Sequence, residues 1–198
     1  MQGRLVYVVG ASGAGKDSLI RYAREALGKA HRVIFAHRYI TRPTTSGGEN
    51  HIELTAPEFA QRKRLGLFAM TWDSHGYRYG VGVEIDAWLA GGLTVVVNGS
   101  RGYIRSARRR YPLISVVWIS AGPQVLAARL KGRGRESRAE INARLERNSK
   151  VGLKPPRGAV EIDNEGSLED AGRRFVELLL AKTHESSFRG QAGIHFDV

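Results

Sequence analysis

The chain has 198 residues, of which 42% are hydrophobic and 25% charged, and this composition predicts one globular domain rather than a disordered chain. It contains no cysteine, which excludes disulfides, thiolate catalysis and cysteine-ligated zinc. Its formal net charge of +12 favours either nonspecific affinity for nucleic acids and membrane surfaces or a site that neutralises several phosphate groups.

Short apolar runs alternate along the chain with stretches of helical periodicity. Arg4 to Val9 predicts a buried strand, a glycine-rich turn follows it, and Asp17 to Ala26 predicts a helix. The other predicted strands are Arg32 to Tyr39, Leu93 to Val97, Ile114 to Ile119 and Ala159 to Ile162. The other predicted helices are Val83 to Leu89, Tyr103 to Arg110, Pro123 to Leu130 and Leu168 to Leu180. This alternation predicts an α/β fold, a P-loop parallel sheet of about five strands with helices on both faces.

Two segments interrupt the alternation. Residues 41–82 are rich in glycine, tyrosine and histidine and predict a small inserted subdomain that contains strands. Residues 129–147 form an arginine-dense helical segment, and residues 183–198 lose periodicity, as is typical of a tail. We therefore expect a single domain over residues 1–182. Because no apolar run is long enough for a signal peptide or a membrane span, we expect a soluble cytoplasmic protein.

Residues 10–18 read G-A-S-G-A-G-K-D-S and connect the first predicted strand to the first predicted helix. A glycine-rich turn in this context directs backbone N–H groups and a helix N-terminus at phosphates. Lys16 is expected to reach the β- and γ-phosphates and to be a catalytic residue. The sequence therefore predicts a phosphotransferase that binds a nucleoside triphosphate through Gly10, Ala11, Ser12, Gly13, Ala14, Gly15, Lys16, Asp17 and Ser18.

Asp17 departs from the usual pattern, in which a serine or threonine follows the lysine and its hydroxyl binds Mg²⁺. A carboxylate is a hard, charged oxygen ligand of the kind that Mg²⁺ accepts. We therefore predict that Asp17 binds Mg²⁺ directly or through a water. The alternative is that Asp17 is only an acid in the first helical turn, where the helix dipole favours it.

Four motifs, in order along the chain, resemble the guanylate kinase-like family of nucleoside monophosphate kinases. They are G-A-S-G-A-G-K-D-S-L, T-R-P at Thr41 to Pro43, G-Y-R-Y-G at Gly76 to Gly80, and R-G-R-E…I-N-A-R-L at Arg133 to Leu145. The resemblance implies that the inserted segment binds the acceptor and that the arginine-dense segment is a lid over the donor. By position, it implies that Arg42 and Tyr79 bind the acceptor phosphate. It also implies that Arg133 and Arg144 are catalytic arginines near the transferring phosphoryl group.

Three departures from that family argue against an acceptor that contains guanine. Thr45 stands where guanylate kinases have a second acceptor-site arginine, and Met70 stands near their guanine-reading glutamate. Asn98 to Arg101 replaces their acidic residue after a strand. Since a site that reads a base by hydrogen bonds depends on those groups, their loss points to a different acceptor.

The motifs G-K-D-S, H-R-Y-I-T-R-P, G-G-E-N-H and V-V-N-G-S-R resemble the ribose 1,5-bisphosphate phosphokinases of bacterial phosphonate breakdown. That resemblance implies phosphoryl transfer from ATP to the 1-phosphate of ribose 1,5-bisphosphate, which gives 5-phosphoribosyl 1-diphosphate. An acceptor phosphate oxygen is already anionic near neutral pH, so positioning and charge neutralisation replace a strong general base. Arg38 and Arg101 are therefore further predicted substrate-binding residues, and His51, His75 and Arg78 are weaker candidates.

The expected partners are thus ATP, Mg²⁺ and a phosphorylated sugar, with neither nucleic acid nor membrane, and the sequence does not fix the oligomeric state. Core burial is not expected for His51 and His75, which lie in the inserted segment. Trp72 is expected to pack a small core rather than stack on a base. Asn164 is either part of an adenine-binding loop, as the resemblance implies, or a turn residue.

Three other functions stay open at this point. The first is a true guanylate or other nucleoside monophosphate kinase, against which Thr45 and Met70 argue. The second is a non-catalytic guanylate kinase-like module that binds phosphorylated protein, although Lys16 and the lid arginines persist here. The third is a nucleic-acid binder, which rests on the net charge alone and has no recognised motif.

Overall fold

The computed structural model describes residues 3–28, 31–46, 49–132 and 154–181. The strands of this part are β1 (Arg4–Gly10), β2 (Val33–Phe35), β3 (Arg38–Ile40), β4 (Ile52–Glu53), β5 (Phe68–Ser74), β6 (Tyr77–Gly82), β7 (Thr94–Asn98), β8 (Ser115–Ser120) and β9 (Val160–Asp163). Its α-helices are α1 (Lys16–Leu27), α2 (Ala56–Arg64), α3 (Glu84–Ala90), α4 (Ile104–Arg110), α5 (Pro123–Gly132) and α6 (Leu168–Leu180).

Five of the strands form a parallel sheet in the order β2-β7-β1-β8-β9. The central strand β1 sends alternate side chains to opposite faces. Val6 and Val8 lie in one buried cluster, and Tyr7 and Val9 lie in the other. Because both faces of β1 are covered, the strand is almost continuously apolar in sequence. The predicted α/β fold, with a parallel sheet of five strands and helices on both faces, is confirmed.

Helix periodicity explains how α1 and α6 cover one face of the sheet. In α6, Ala171, Phe175 and Leu179 recur every four residues and are all buried. The side chain of Ser167 caps this helix by accepting a hydrogen bond from the backbone N–H of Asp170 at 3.0 Å. Helix α1 packs into the same buried cluster, so its first turn is fixed directly after the glycine-rich loop.

A second, four-stranded sheet with the order β4-β3-β6-β5 forms within residues 38–82. Helix α2 belongs to the same segment and was not predicted. It is preceded by a capping box, in which Thr55 Oγ1 accepts a hydrogen bond from the Glu58 backbone N–H at 3.3 Å and the Glu58 carboxylate accepts one from the Thr55 backbone N–H at 2.9 Å. The T-x-x-E spacing was therefore a usable sequence signal for this helix.

The prediction of a single strand from Arg32 to Tyr39 is wrong. The segment forms β2 in the parallel sheet and β3 in the second sheet, and only Ala36 and His37 separate them. His37 and Arg38 interrupt the apolar run where the chain changes sheet, and this short polar interruption was a usable sequence signal. The second sheet consequently starts at β3, before residue 41, and not at the predicted boundary.

The second sheet is packed against the core of the first. Met70 of β5 and Val81 of β6 lie in the same buried cluster as Tyr7 and Val9 of β1. Within the described residues, no helix combines the length and the apolar composition that crossing a membrane requires. The predicted catalytic residues Arg133 and Arg144 lie outside the described residues, as do most of the predicted lid and the predicted tail.

Candidate active site

The loop from Gly10 to Ser18 runs from the end of β1 into the first turn of α1. Gly13 and Gly15 have φ angles of 90° and 91°, a region that side chains other than glycine rarely adopt. A Cβ atom at Gly15 would also lie 2.3 Å from Asn164 Nδ2. Conformation and close packing therefore both require glycine at position 15, and they fix a turn whose N–H groups can face a phosphate.

Lys16 reaches back over this loop. Its Nζ donates hydrogen bonds to the carbonyl oxygens of Gly10 and Ala11, each at 3.1 Å. The ammonium charge is therefore held beside the loop that is predicted to bind the β- and γ-phosphates. The predicted contact between Lys16 and phosphate stays a prediction, and the position of Nζ fits it.

Asp17 is paired with Asn98, which lies 81 residues further along the chain. Asn98 ends β7, whose register places it next to Val8 of β1, and its Nδ2 donates to Asp17 Oδ1 at 2.7 Å. Asn98 is 7% exposed, and its Oδ1 is buried without a hydrogen-bond partner among the described residues. The sequence identified Asn98 only as the replacement for an acid and gave no sign that it faces Asp17.

Asn164 braces the phosphate loop from the other side. It follows β9 and is 2% exposed, and its Nδ2 donates to the carbonyl oxygen of Ala14 at 2.7 Å. Its own backbone N–H donates to Ser120 at 2.9 Å. The interpretation of Asn164 as only a turn residue is therefore incomplete. Its side-chain amide also supports the phosphate loop.

Arg129 is a candidate that the sequence did not single out from its cationic neighbours. It lies near the end of α5, and one Nη atom is buried without a hydrogen-bond partner in the described part of the chain. That Nη1 atom lies 3.7 Å from the position that a Cβ atom would take on Gly15. A guanidinium with an unused buried donor therefore lies directly beside the phosphate loop.

Arg38 and Arg42 come together around one carboxylate. Arg38 donates hydrogen bonds from Nε and Nη2 to the carboxylate of Glu49, and Arg42 Nη2 lies 3.9 Å from Glu49 Oε2. Burial by itself lowers the pKa of Arg38, but Glu49 more than offsets this, so the net pKa is raised and the guanidinium stays charged. Arg42 Nε is buried without a hydrogen-bond partner among the described residues. We call Arg38, Arg42 and Glu49 the arginine cluster.

Aromatic side chains hold the arginine cluster in place. Tyr79 is buried, and its ring stacks on Trp72 with a centroid distance of 5.7 Å and an interplanar angle of 4°. The Arg38 guanidinium carbon lies 5.1 Å from the centroid of the Tyr79 ring, a cation–π arrangement. Trp72 also contacts Tyr103, at 5.6 Å between centroids. Trp72 therefore packs, as expected, and Tyr79 lies beside a predicted substrate residue.

The expectation that His51 would escape core burial is wrong, because it is only 6% exposed. Its Nε2 lies 2.9 Å from the Arg42 carbonyl oxygen and its Nδ1 lies 3.1 Å from that of Glu49. His51 thus ties together the backbone on which two members of the arginine cluster sit. His75, at φ 51° in the β5–β6 turn, is exposed, as is Arg78.

Arg101 follows the end of β7 and lies over Trp118, with its guanidinium carbon 6.0 Å from the ring centroid. Burial lowers the pKa of Arg101. The residue lines a cavity of about 560 Å³ together with Gly102, Ile104, Arg105, Arg108, Arg109, Trp118, Lys154 and Pro156. Its predicted role in binding substrate stays a prediction. Met70, by contrast, is 1% exposed, so its side chain is part of the core and offers nothing to an acceptor base.

The loop and the arginine cluster lie close enough for the charge of Asp17 to raise the pKa of Arg38. One half of the site can hold a triphosphate, and the other presents cations to a second anion. Within the described residues, no group of three or more histidines, aspartates or glutamates could hold a metal ion. A metal at Asp17 would therefore take further oxygens from an amide, from phosphates or from water, as Mg²⁺ commonly does.

No family model matches the chain. It is 57% identical over 176 residues to the ribose 1,5-bisphosphate phosphokinase PhnN of Burkholderia mallei, which covers 89% of this chain and 95% of that protein. The protein of the same name from Thiobacillus denitrificans is 52% identical over 179 residues, or 90% of this chain and 93% of that protein. Among solved structures, the guanylate kinase of Anaplasma phagocytophilum superposes with a TM-score of 0.65 over 90% of this chain and 85% of that one. At 14% identity, the likeness shows the fold alone.

Proposed function

Because this chain belongs to the ribose 1,5-bisphosphate phosphokinase PhnN family, we propose that it phosphorylates the 1-phosphate of ribose 1,5-bisphosphate with ATP. An oxygen of the 1-phosphate forms a bond to the γ-phosphorus while the bond between that phosphorus and the β–γ bridging oxygen breaks. The products are 5-phosphoribosyl 1-diphosphate and ADP. The observation that carries the proposal is the identity of 57% over 89% of the chain with a relative of that name.

The donor half of the site is the phosphate loop. Its N–H groups and Lys16 bind the β- and γ-phosphates of ATP, and Arg129 adds a third source of positive charge through its unused Nη atom. Mg²⁺, when bound through Asp17, supplies further neutralisation of the charge that develops on the transferring group. The oxygens of Asp17 and Asn98 are hard ligands, so the residues present fit this ion.

The acceptor half is the arginine cluster. An acceptor with two phosphates and no base needs cations where a nucleotide kinase needs base-reading groups. Arg42 has an unused buried Nε donor and only a long, 3.9 Å contact to Glu49, so it can take a phosphate oxygen without first losing a strong pair. Arg38 and Tyr79 complete this half, and Arg101 is a further candidate.

No general base is needed for this reaction, because the attacking oxygen belongs to a phosphate that is already ionised near neutral pH. The residues of the site bind, orient and neutralise, and they exclude water once both substrates are in place. Arg133 and Arg144 are proposed to approach the transferring phosphoryl group from the lid, in keeping with the sequence resemblance.

The proposal is tested by offering the purified protein ATP and Mg²⁺ with ribose 1,5-bisphosphate, ribose 5-phosphate, GMP or AMP in parallel. ADP release gives the rate, and ³¹P NMR identifies the diphosphate product. We expect turnover with ribose 1,5-bisphosphate and little with the other acceptors. A preference for GMP would replace the proposal with a guanylate kinase, and no turnover with any acceptor would favour a binding module.

A further inference from the structure

Two positions at which P-loop enzymes commonly hold Mg²⁺ carry unusual residues in this chain. In P-loop enzymes that hydrolyse or transfer phosphate, Mg²⁺ is commonly held by a loop serine or threonine and by an aspartate at the end of a neighbouring strand. Here the loop position carries Asp17 and the end of the neighbouring strand β7 carries Asn98. The pair keeps a single negative charge, but the carboxylate has moved from the strand to the loop.

The chemistry of the pair fixes how the Asn98 amide is oriented. A carboxylate can only accept hydrogen bonds, so the NH₂ group of Asn98 must face Asp17, as the 2.7 Å contact has it. Oδ1 then receives no hydrogen bond from Asp17, since an ionised carboxylate has no proton to donate. That oxygen is buried and has no hydrogen-bond partner among the described residues, a state that costs stability unless a ligand satisfies it.

We propose that Asn98 is the second protein residue of the metal site. Its Nδ2 positions the Asp17 carboxylate, and its Oδ1 gives a neutral oxygen to the bound ion or to one of the waters on that ion. The inference rests on the proposed use of ATP with Mg²⁺ but not on the identity of the acceptor. Asp17 in place of the common serine or threonine and Asn98 in place of the common aspartate therefore compensate for each other, because together they keep one carboxylate at the site.

A purely structural role for the pair would explain the 2.7 Å bond, because an acid in the first turn of a helix is favoured and an amide can anchor it. It would not explain why the pair occupies the two positions at which P-loop enzymes commonly hold their metal ion. The chemistry of the two side chains also fits a metal site. One carboxylate and one amide, together with phosphates and water, supply the oxygen ligands that Mg²⁺ takes.

The test exchanges the two residues. Mn²⁺, a paramagnetic substitute for Mg²⁺, is titrated into the protein with a non-hydrolysable ATP analogue, and free Mn²⁺ is followed by electron paramagnetic resonance. Four proteins are compared: the wild type, Asp17→Ser, Asn98→Asp, and the double variant Asp17→Ser with Asn98→Asp. No acceptor is present, so the result does not depend on which molecule is phosphorylated.

We expect Asp17→Ser to weaken Mn²⁺ binding by about 10- to 100-fold, the usual effect of disturbing a metal site. Asn98→Asp sets two carboxylates face to face, so the melting temperature of the metal-free protein should fall. The double variant restores the common arrangement and should recover most of the lost affinity. If the double variant bound Mn²⁺ no more tightly than Asp17→Ser, the proposal that Asp17 and Asn98 form the metal site together would be wrong.

Asn98→Ala gives a second, independent measurement if the aspartate variant does not fold. We expect it to weaken Mn²⁺ binding, whereas a lower melting temperature with unchanged Mn²⁺ affinity would reduce Asn98 to a structural anchor. Asn164→Ala is the matched control, because Asn164 is also a buried amide with a 2.7 Å hydrogen bond to the loop, and its Oδ1 is likewise buried without a partner among the described residues. It should weaken binding of the ATP analogue equally with and without Mn²⁺.

Discussion

The two halves of the proposed active site differ in what forms them, backbone in one and side chains in the other. The donor half, Gly10 to Ser18, is mostly backbone, and the buried strand β1 and the packed helix α1 fix its shape. The acceptor half consists of the side chains of Arg38, Arg42, Glu49 and Tyr79, in which Glu49 lies beside both arginines and Tyr79 lies beside Arg38. A site made of backbone binds a group shared by many substrates, whereas a site made of side chains can change its specificity by substitution.

The largest effect is expected from removing Lys16, the lysine of the phosphate loop in the donor half. Lys16→Ala should lower kcat by at least about 10²- to 10³-fold, because a positioned cation at the transferring phosphate is lost. Steady-state kinetics measure this, and circular dichroism should show an unchanged fold. Residual activity within a few-fold of the wild type would mean that the backbone of the loop binds the ATP phosphates without help from Lys16.

Arg42→Ala should act on the acceptor half alone. We expect kcat/KM for the acceptor to fall by about 10- to 100-fold, since a charge-assisted hydrogen bond of about 1.5–3 kcal/mol is lost. The KM for ATP should stay unchanged. Arg42→Lys is the matched variant, and it should recover little, because lysine cannot present the planar pair of donors. An equal loss for both substrates would mean that the two halves are not separable.

Asn164→Ala tests the donor half by loosening its backbone instead of removing a charge. Loss of one hydrogen bond to the Ala14 carbonyl oxygen should weaken ATP binding by about five-fold, which corresponds to about 1 kcal/mol. The KM for the acceptor should not change. Isothermal titration with a non-hydrolysable analogue measures the affinity, and an unaltered value would show that the loop keeps its shape without this brace.

The smallest effect is expected from Thr55, which caps helix α2 in the inserted segment. Thr55→Ala removes the N-cap of α2 and should lower the free energy of unfolding by about 1 kcal/mol. Denaturant unfolding measures this loss, and Thr55→Ser, which keeps the hydroxyl, is the control. The kinetic constants for both substrates should be unchanged. A raised KM for the acceptor would show that α2 helps to position the arginine cluster.

The donor half could be predicted from the sequence because its determinants are adjacent in the chain. A buried strand, two glycines at positive φ and a lysine fall within residues 4–18, so local pattern is sufficient. The same holds for the parallel sheet, whose strands are short apolar runs with β-branched residues. The resemblance to a known family indicated further site residues, including Arg42 and Tyr79.

The acceptor half was predicted only in part, because its contacts join distant positions. Nothing local indicates that Glu49 would pair with Arg38, or that Asn98 would face Asp17 across 81 residues. The change of sheet between β2 and β3 is marked only by the polar pair His37 and Arg38, which a single strand can also contain. Burial of His51 was missed because it depends on a fold that brings the ring against Arg42, nine residues earlier, as well as against Glu49.

The shared core of the two sheets has a consequence for unfolding. Met70 and Val81 of the second sheet lie in the same buried cluster as Tyr7 and Val9 of the first. Although Phe59 and Phe68 stack within the inserted segment, part of its hydrophobic interior is lost on excision, so residues 38–82 in isolation should be far less stable than in the whole protein. Heat should accordingly melt the segment and the parallel sheet in one cooperative transition, so no partly unfolded form retains ATP affinity while it lacks the acceptor half.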